Sequence, residues 1–135
     1  MNFKIDITPP TVTAQEKGVY VRNGKPIFYE KLEVKRAKQT FLWHLWKHRP
    51  ERPLQGPVFL KTVWIFKAGK NHKHGEYKTT KPDTDNLLKL FKDCMTKAGY
   101  WKDDAQVCYE VTTKLWGDEP GIEVTVCEIQ TKADG

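Results

Sequence analysis

The sequence predicts an α+β fold: a two-layer arrangement of a mixed or antiparallel sheet with helices on one face. Three observations lead there. Segments 31–48 and 86–98 carry apolar residues at helical spacing. Several other stretches alternate or run apolar over strand lengths between turn residues. Asn23-Gly24 and Gly117-Asp118-Glu119-Pro120-Gly121 each stand between two such stretches, as turns between antiparallel neighbours do. With 135 residues, a single domain over 1–135 is expected, long enough to bury a core.

Met1–Thr8 sets Phe3, Ile5 and Ile7 at alternate positions and reads as a strand. Val19–Tyr29 reads as a hairpin about Asn23-Gly24, and Pro26, lacking an N–H, pushes its second arm toward an edge. Residues 31–48 place Val34, Ala37, Phe41, Leu42 and Leu45 on one helix face, and Pro50 and Pro53 stop that helix. Pro57–Lys67 puts Val58, Leu60, Thr62, Trp64 and Phe66 on one face, with Phe59, Val63 and Ile65 on the other. Two largely apolar faces predict a central strand. Residues 68–80 form a loop. Asn86–Ala98 is the second helix, with Leu87, Leu88, Phe91, Cys94, Met95 and Ala98 toward a core and Gly99 at its end. Val107–Trp116 and Ile122–Ile129 are expected to pair with each other, antiparallel. The tail after Gln130 is expected to fray.

The net charge of +6 favours a polyanionic partner. No apolar run approaches the roughly 18 residues of a membrane span, and MNFKIDITPP lacks a signal-peptide apolar stretch. Cys94, Cys108 and Cys127 are widely spaced in apolar patterns. They read as reduced core thiols, neither a disulfide frame nor a zinc site.

In so basic a chain the acids should scatter among the lysines. Instead they gather at both ends of the second helix: Asp83 and Asp85 in Lys81-Pro82-Asp83-Thr84-Asp85-Asn86, and Asp104 in Trp101-Lys102-Asp103-Asp104-Ala105-Gln106-Val107. Carboxylates at alternate positions of an extended segment point the same way, and hard oxygen ligands suit Mg²⁺. The plainer alternative also stands: Thr84 or Asp85 caps a helix beginning near Asn86, and Asp103-Asp104 is a solvated turn. Lys89, one helical turn after Asp85, is either a phosphate ligand or the partner of a surface ion pair. A helix over 86–98 is about 20 Å long. Asp104 therefore reaches Asp85 only if 99–103 run back along the helix; otherwise it meets an Asp pair from another subunit. The same-chain return is expected.

The run from Lys81 to Val107 resembles the core motif of the RusA family of Holliday junction resolvases. An Asp-x-Asp-Asn opens a helix, a lysine follows four residues after the second Asp, the helix ends at Gly-aromatic, and Asp-Asp-x-Gln-Val comes next. The likeness is dense over this run, weak through Gly56-Pro57-Val58 and loose over the first 50 residues. It implies a small homodimeric, Mg²⁺-dependent endonuclease that cuts four-way DNA junctions in recombination and repair. Mn²⁺ is a possible substitute for Mg²⁺, and the setting is the cytoplasm of a bacterium or a phage-infected host. Residue by residue, it assigns catalysis and metal binding to Asp83, Asp85 and Asp104 and catalysis to Lys89. Asn86 and Asp103 are expected to support the metal ligands from behind.

Lys67, Lys70, Lys73, Lys78 and Lys81 of the basic loop are the candidate DNA contacts, and the loop is expected to be mobile without DNA. His72 and His74 read as phosphate contacts or solvated side chains rather than metal ligands. Lys35, Arg36, Lys38 and Lys47 form a second basic region. Trp43 and Trp46 are candidates for a dimer interface. Two other readings compete: a catalytically silent branched-DNA-binding protein of the same fold, and a small Mg²⁺-dependent phosphatase or nucleotide hydrolase. The intact acidic set argues against the first, because a pure binder gains by losing those charges. The lack of a Gly-rich phosphate loop weakens the second.

Overall fold

A computed structural model of the chain describes residues 1–11 and 17–130. Six strands and two helices follow in order: β1 (Asn2–Ile5), β2 (Lys17–Arg22), β3 (Lys25–Glu30), α1 (Leu32–Lys47), β4 (Val58–Lys67), α2 (Thr84–Ala98), β5 (Val107–Gly117) and β6 (Gly121–Glu128). A single 3₁₀ turn, Asp104–Gln106, leads into β5. The expected frayed tail beyond Gln130 lies outside the described residues.

β2 and β3 form the expected hairpin. Asn23 and Gly24 both take positive φ, 52° and 75°, the backbone that a tight hairpin turn requires. This pair is a separate two-stranded sheet; the main sheet has the order β1-β6-β4-β5. β4 is central, as its two apolar faces predict. Its Val58, Leu60, Thr62, Trp64 and Phe66 are buried beneath the helices, while Phe59, Val63 and Ile65 are half-buried. Phe41 of α1, Trp64 of β4 and Phe91 of α2 meet edge to face, with ring centroids 5.1–6.0 Å apart. Fully burying each such side chain is worth about 1.5–3 kcal/mol. Ile122, Val124 and Val126 of β6 and Ile5 of β1 extend the same buried face.

β5 and β6 do not pair with each other, contrary to the reading of the sequence. They are antiparallel in direction, but β4 lies between them, parallel to β5 and antiparallel to β6. The apolar strand takes the position with two neighbours, and the short Asp118–Pro120 link passes its end. The cysteine expectation also needs correcting. None of the three is in a disulfide, but only Cys94 is buried; Cys108 and Cys127 are exposed. No helix among the described residues is long and apolar enough to cross a membrane.

Gly99 closes α2 in the left-handed conformation, φ 89°. Tyr100 and Trp101 then plug into the core. The Tyr100 hydroxyl donates to the Leu45 carbonyl at 2.7 Å, and Trp101 Nε1 donates to Thr96 Oγ1 at 2.7 Å. Burial pushes the Tyr100 hydroxyl's pKa well above the usual tyrosine value. Two anchored aromatic residues turn the chain back beside α2 and carry Asp104 with it.

Candidate active site

α2 begins one residue after Asp83, which is extended at φ −71°, ψ 150° and is the N-cap. Its carboxylate makes no capping hydrogen bond. An Asp at this position normally accepts from a free N–H of the first turn, so the carboxylate is left for other use. Asp85 is already helical and lies in the first turn, where the helix dipole favours negative charge. Asp83 and Asp85 therefore do not alternate along an extended segment, because the helix starts two residues before Asn86. Asn86, half-buried in the same turn, has no hydrogen bond to a described residue that would tie it to either carboxylate.

Asp85, Leu88, Lys89, Lys92, Asp104 and Glu110 line one open cleft of about 240 Å³. The same-chain return expected of Asp104 is thus the path the backbone takes. Asp104 also borders a second cleft, of about 300 Å³, with Lys38, Asp93, Cys94, Thr96, Lys97, Lys102 and Asp103. It stands beside the middle of α2 rather than at its first turn. Asp83 lines neither cleft. Among the described residues no three His, Cys, Asp or Glu side chains are gathered closely enough to hold a metal ion. The expected convergence of three carboxylates on one point is therefore not present among the described residues, because Asp104 stands beside the middle of α2 and Asp83 lies outside both clefts. Asp85 and Asp104 still fit Mg²⁺. They share a cleft, neither carboxylate makes a hydrogen bond or ion pair with a described residue, and Mg²⁺ usually takes one or two carboxylates and keeps several waters.

Asp103 and Gln106 set the Asp104 backbone. Asp103 Oδ1 accepts from the Ala105 N–H at 2.9 Å, and Gln106 Oε1 accepts from the Asp103 and Lys102 N–H groups at 3.3 and 3.1 Å. This is a capping box around the turn that holds Asp104. Gln106 Nε2 donates to the Leu54 and Gly56 carbonyls, 3.0 Å each, fastening the turn to the segment before β4. Asp103 thus supports the site through the backbone. Gln106 belongs to the motif but had no assigned role; the Asp-x-x-Gln spacing was its signal.

The sequence reading also missed Glu110 and Lys114. The β4–β5 register slips between Val58 and Phe59, so that Val107 pairs with Val58 but Tyr109 with Phe59. That bulge at Cys108 puts Glu110 and Lys114 opposite Leu60 and Trp64, on the helix-covered face. Glu110 closes the cleft wall and pairs with Lys92 at 3.1 Å. Periodicity alone cannot show a bulge.

The basic loop is tied down more firmly than its composition suggests. Gly75 N–H donates to Trp116 O and Trp116 N–H to Glu76 O, both at 2.8 Å, and Tyr77 bridges Leu115. His72 stacks on Trp116, centroids 4.0 Å apart, and its Nδ1 lies 3.4 Å from Glu76. Glu76 has its pKa lowered, chiefly by the Lys73 N–H it accepts from. His74 Nδ1 accepts from the Asp118 N–H at 3.1 Å. The two histidines are fixtures of the loop. Lys78, expected among the DNA contacts, is 9% exposed; its ammonium lies 4.3 Å from the Trp116 ring centroid and donates to Thr80 Oγ1 at 2.6 Å. Burial, then the nearby Lys114 charge, lowers its pKa. Lys67 donates to the Asp118 carbonyl at 2.7 Å. Lys70, Lys73 and Lys81 are exposed.

The profile of the RusA endodeoxyribonuclease family matches residues 8–127. A crossover junction endodeoxyribonuclease, rusA, of Lactococcus phage r1t is 31% identical over 129 residues, covering 94% of this chain and 97% of the phage protein. An uncharacterized protein of Bacillus subtilis strain 168, YqaN, is 34% identical over 121 residues, 81% of this chain and 84% of its own length. With nearly its whole length matched and the Asp-x-Asp-Asn and Asp-Asp-x-Gln-Val elements standing on either side of one helix, the chain belongs to the RusA endodeoxyribonuclease family.

Proposed function

We propose that the protein is a Mg²⁺-dependent, structure-selective endonuclease that resolves four-way DNA junctions by paired phosphodiester hydrolysis, acting as a homodimer. The observation that carries this reading is the open cleft lined together by Asp85, Lys89 and Asp104, whose two carboxylates have no partner among the described residues. In it Asp85 and Asp104 would hold the ion, and Asp83, at the helix N-cap, is the third proposed ligand. Mg²⁺ bound there supplies a water of lowered pKa and neutralises charge on the scissile phosphate. Lys89, on the same wall, donates to the phosphate oxygens as negative charge builds in the transition state. Glu110, neutralised by Lys92, walls the cleft without adding an unpaired charge against DNA.

Resolving a junction takes two nicks related by symmetry, and a two-fold dimer presents two like sites to two like strands. Trp43 and Trp46 of α1 are 61% and 57% exposed beside an apolar hollow of about 380 Å³. The hairpin exposes Val19, Val21 and Phe28 as well. A two-stranded hairpin is marginal alone in water, so this surface suits a second copy. A synthetic four-way junction with Mg²⁺ should be cut at paired positions by a species of twice the 15.7 kDa chain mass in light scattering. A protein that binds the junction but never cuts it would be the silent binder; a monomer making paired cuts would end the dimer mechanism.

Lys70, Lys73 and Lys81 carry the loop's share of phosphate binding. Each phosphate contact contributes about 0.9 to the log–log salt slope on duplex DNA. Replacing all three with Ala should flatten the slope by roughly 2–3. Lys78→Ala should leave it unchanged, since that ammonium is turned inward. An unaltered slope in the triple variant would show that DNA binds elsewhere.

A further inference from the structure

We infer that Lys114 is a positioning residue that sets the segment carrying Asp83. The inference rests on the proposed carboxylate site. Lys114 is half-buried on β5, and its ammonium donates to the Thr80 carbonyl at 2.6 Å and the Pro82 carbonyl at 2.8 Å. Asp83 is the next residue. Nothing fixes Asp83 through its own side chain, which makes no capping bond. Its direction is therefore set by the backbone behind it, and that backbone is gripped by Lys114.

A second lysine serves the same turn. Lys78 donates its ammonium to Thr80 Oγ1 at 2.6 Å and its N–H to the Lys114 carbonyl at 3.0 Å. Neither ammonium forms an ion pair with a carboxylate among the described residues. Two like charges drawn together without a counter-ion are costly for a turn that neutral donors could hold. Burial, followed by the charge of Lys114, holds the Lys78 pKa below its ordinary value, the mark of that cost. Positive charge here suits a segment that presents a carboxylate to a metal ion and a phosphate. The Cys108 bulge makes this possible, because without it Lys114 would fall on the opposite face of the sheet.

The test compares wild type with Lys114→Met, which keeps the aliphatic stem and loses both bonds, and Lys114→Arg, which keeps charge and donors. Mn²⁺ binding is read from the electron paramagnetic resonance signal of the free ion. Junction affinity is measured in EDTA and single-turnover cleavage in Mg²⁺. Lys114→Met should weaken Mn²⁺ binding and slow cleavage by roughly 10–100-fold, the range for outer-shell partners of a metal ligand. Junction affinity should stay within about two-fold, and Lys114→Arg should recover much of the loss. Wild-type Mn²⁺ binding in Lys114→Met overturns the inference. Should that variant melt below the assay temperature, Lys114→Gln replaces it under the same criterion. A wild type that neither binds Mn²⁺ nor cuts junctions would instead sink the proposed function.

Discussion

Asp85→Asn and Asp104→Asn should each cut junction cleavage by at least about 10²–10³-fold, the scale on which a single electrostatic stabiliser of the transition state matters. Junction binding in EDTA should stay the same or tighten. Each substitution keeps the side chain's size and removes one negative charge from a cleft that phosphates must enter. Neither carboxylate makes a hydrogen bond or ion pair with a described residue, so the fold loses at most the interaction of Asp85 with the helix dipole, about 0.3–1 kcal/mol. The melting temperature should move little, since substitutions free of structural partners usually fall within about 0.5 kcal/mol. Asp83→Asn should behave the same way, since Asp83 is the third proposed ligand. Asp83 lines neither cleft, so it is the carboxylate for which the measurement decides most. Cleavage at the wild-type rate in any of the three removes that residue from the site. Loss of binding or of melting temperature instead assigns it a structural role.

What the sequence made legible follows physical periodicity. α2 was readable because Leu87, Leu88, Phe91, Cys94 and Met95 repeat at helical spacing and Gly99 can take the left-handed stop. β4 was readable as central because both its faces are apolar. The hairpin was readable because Asn23-Gly24 has almost no other use. The features that escaped depend on partners far away in sequence. Nothing in β5 or β6 says that β4 will sit between them. Lys78 carries the same side chain as Lys70, and the nearby Trp116 and Phe66 rings and the Thr80 hydroxyl turn one inward and leave the other in water. The Cys108 bulge leaves no mark in the alternation of β5, yet it decides which side chains of that strand reach the helix. At the site, the motif led to Asp85, Lys89 and Asp104, which share a cleft, while Glu110 and Lys114 arrive from a strand the motif does not include.

Gln106→Ala should show how much of the site depends on that distant anchoring. The amide holds four bonds: two donated to the Leu54 and Gly56 carbonyls, two accepted from the Lys102 and Asp103 N–H groups. A typical hydrogen bond contributes about 0.5–1.5 kcal/mol net. Losing all four at a half-exposed position, where water replaces part of the loss, should cost about 2–3 kcal/mol. In a chain of this size that lowers the melting temperature by roughly 7–11 °C. Cleavage should fall by roughly 10–100-fold at a temperature where the variant is still folded, because the turn holding Asp104 loses its tie to the sheet. Gln106→Glu separates the two halves of the network. Its carboxylate still accepts from the Lys102 and Asp103 N–H groups, but it faces the Leu54 and Gly56 carbonyls with no proton to give. The turn keeps its local shape and loses its anchor, so Gln106→Glu should be nearly as slow as Gln106→Ala. A Gln106→Glu variant that cuts as fast as wild type would show that local capping alone places Asp104, and that the link to Leu54 and Gly56 serves only stability.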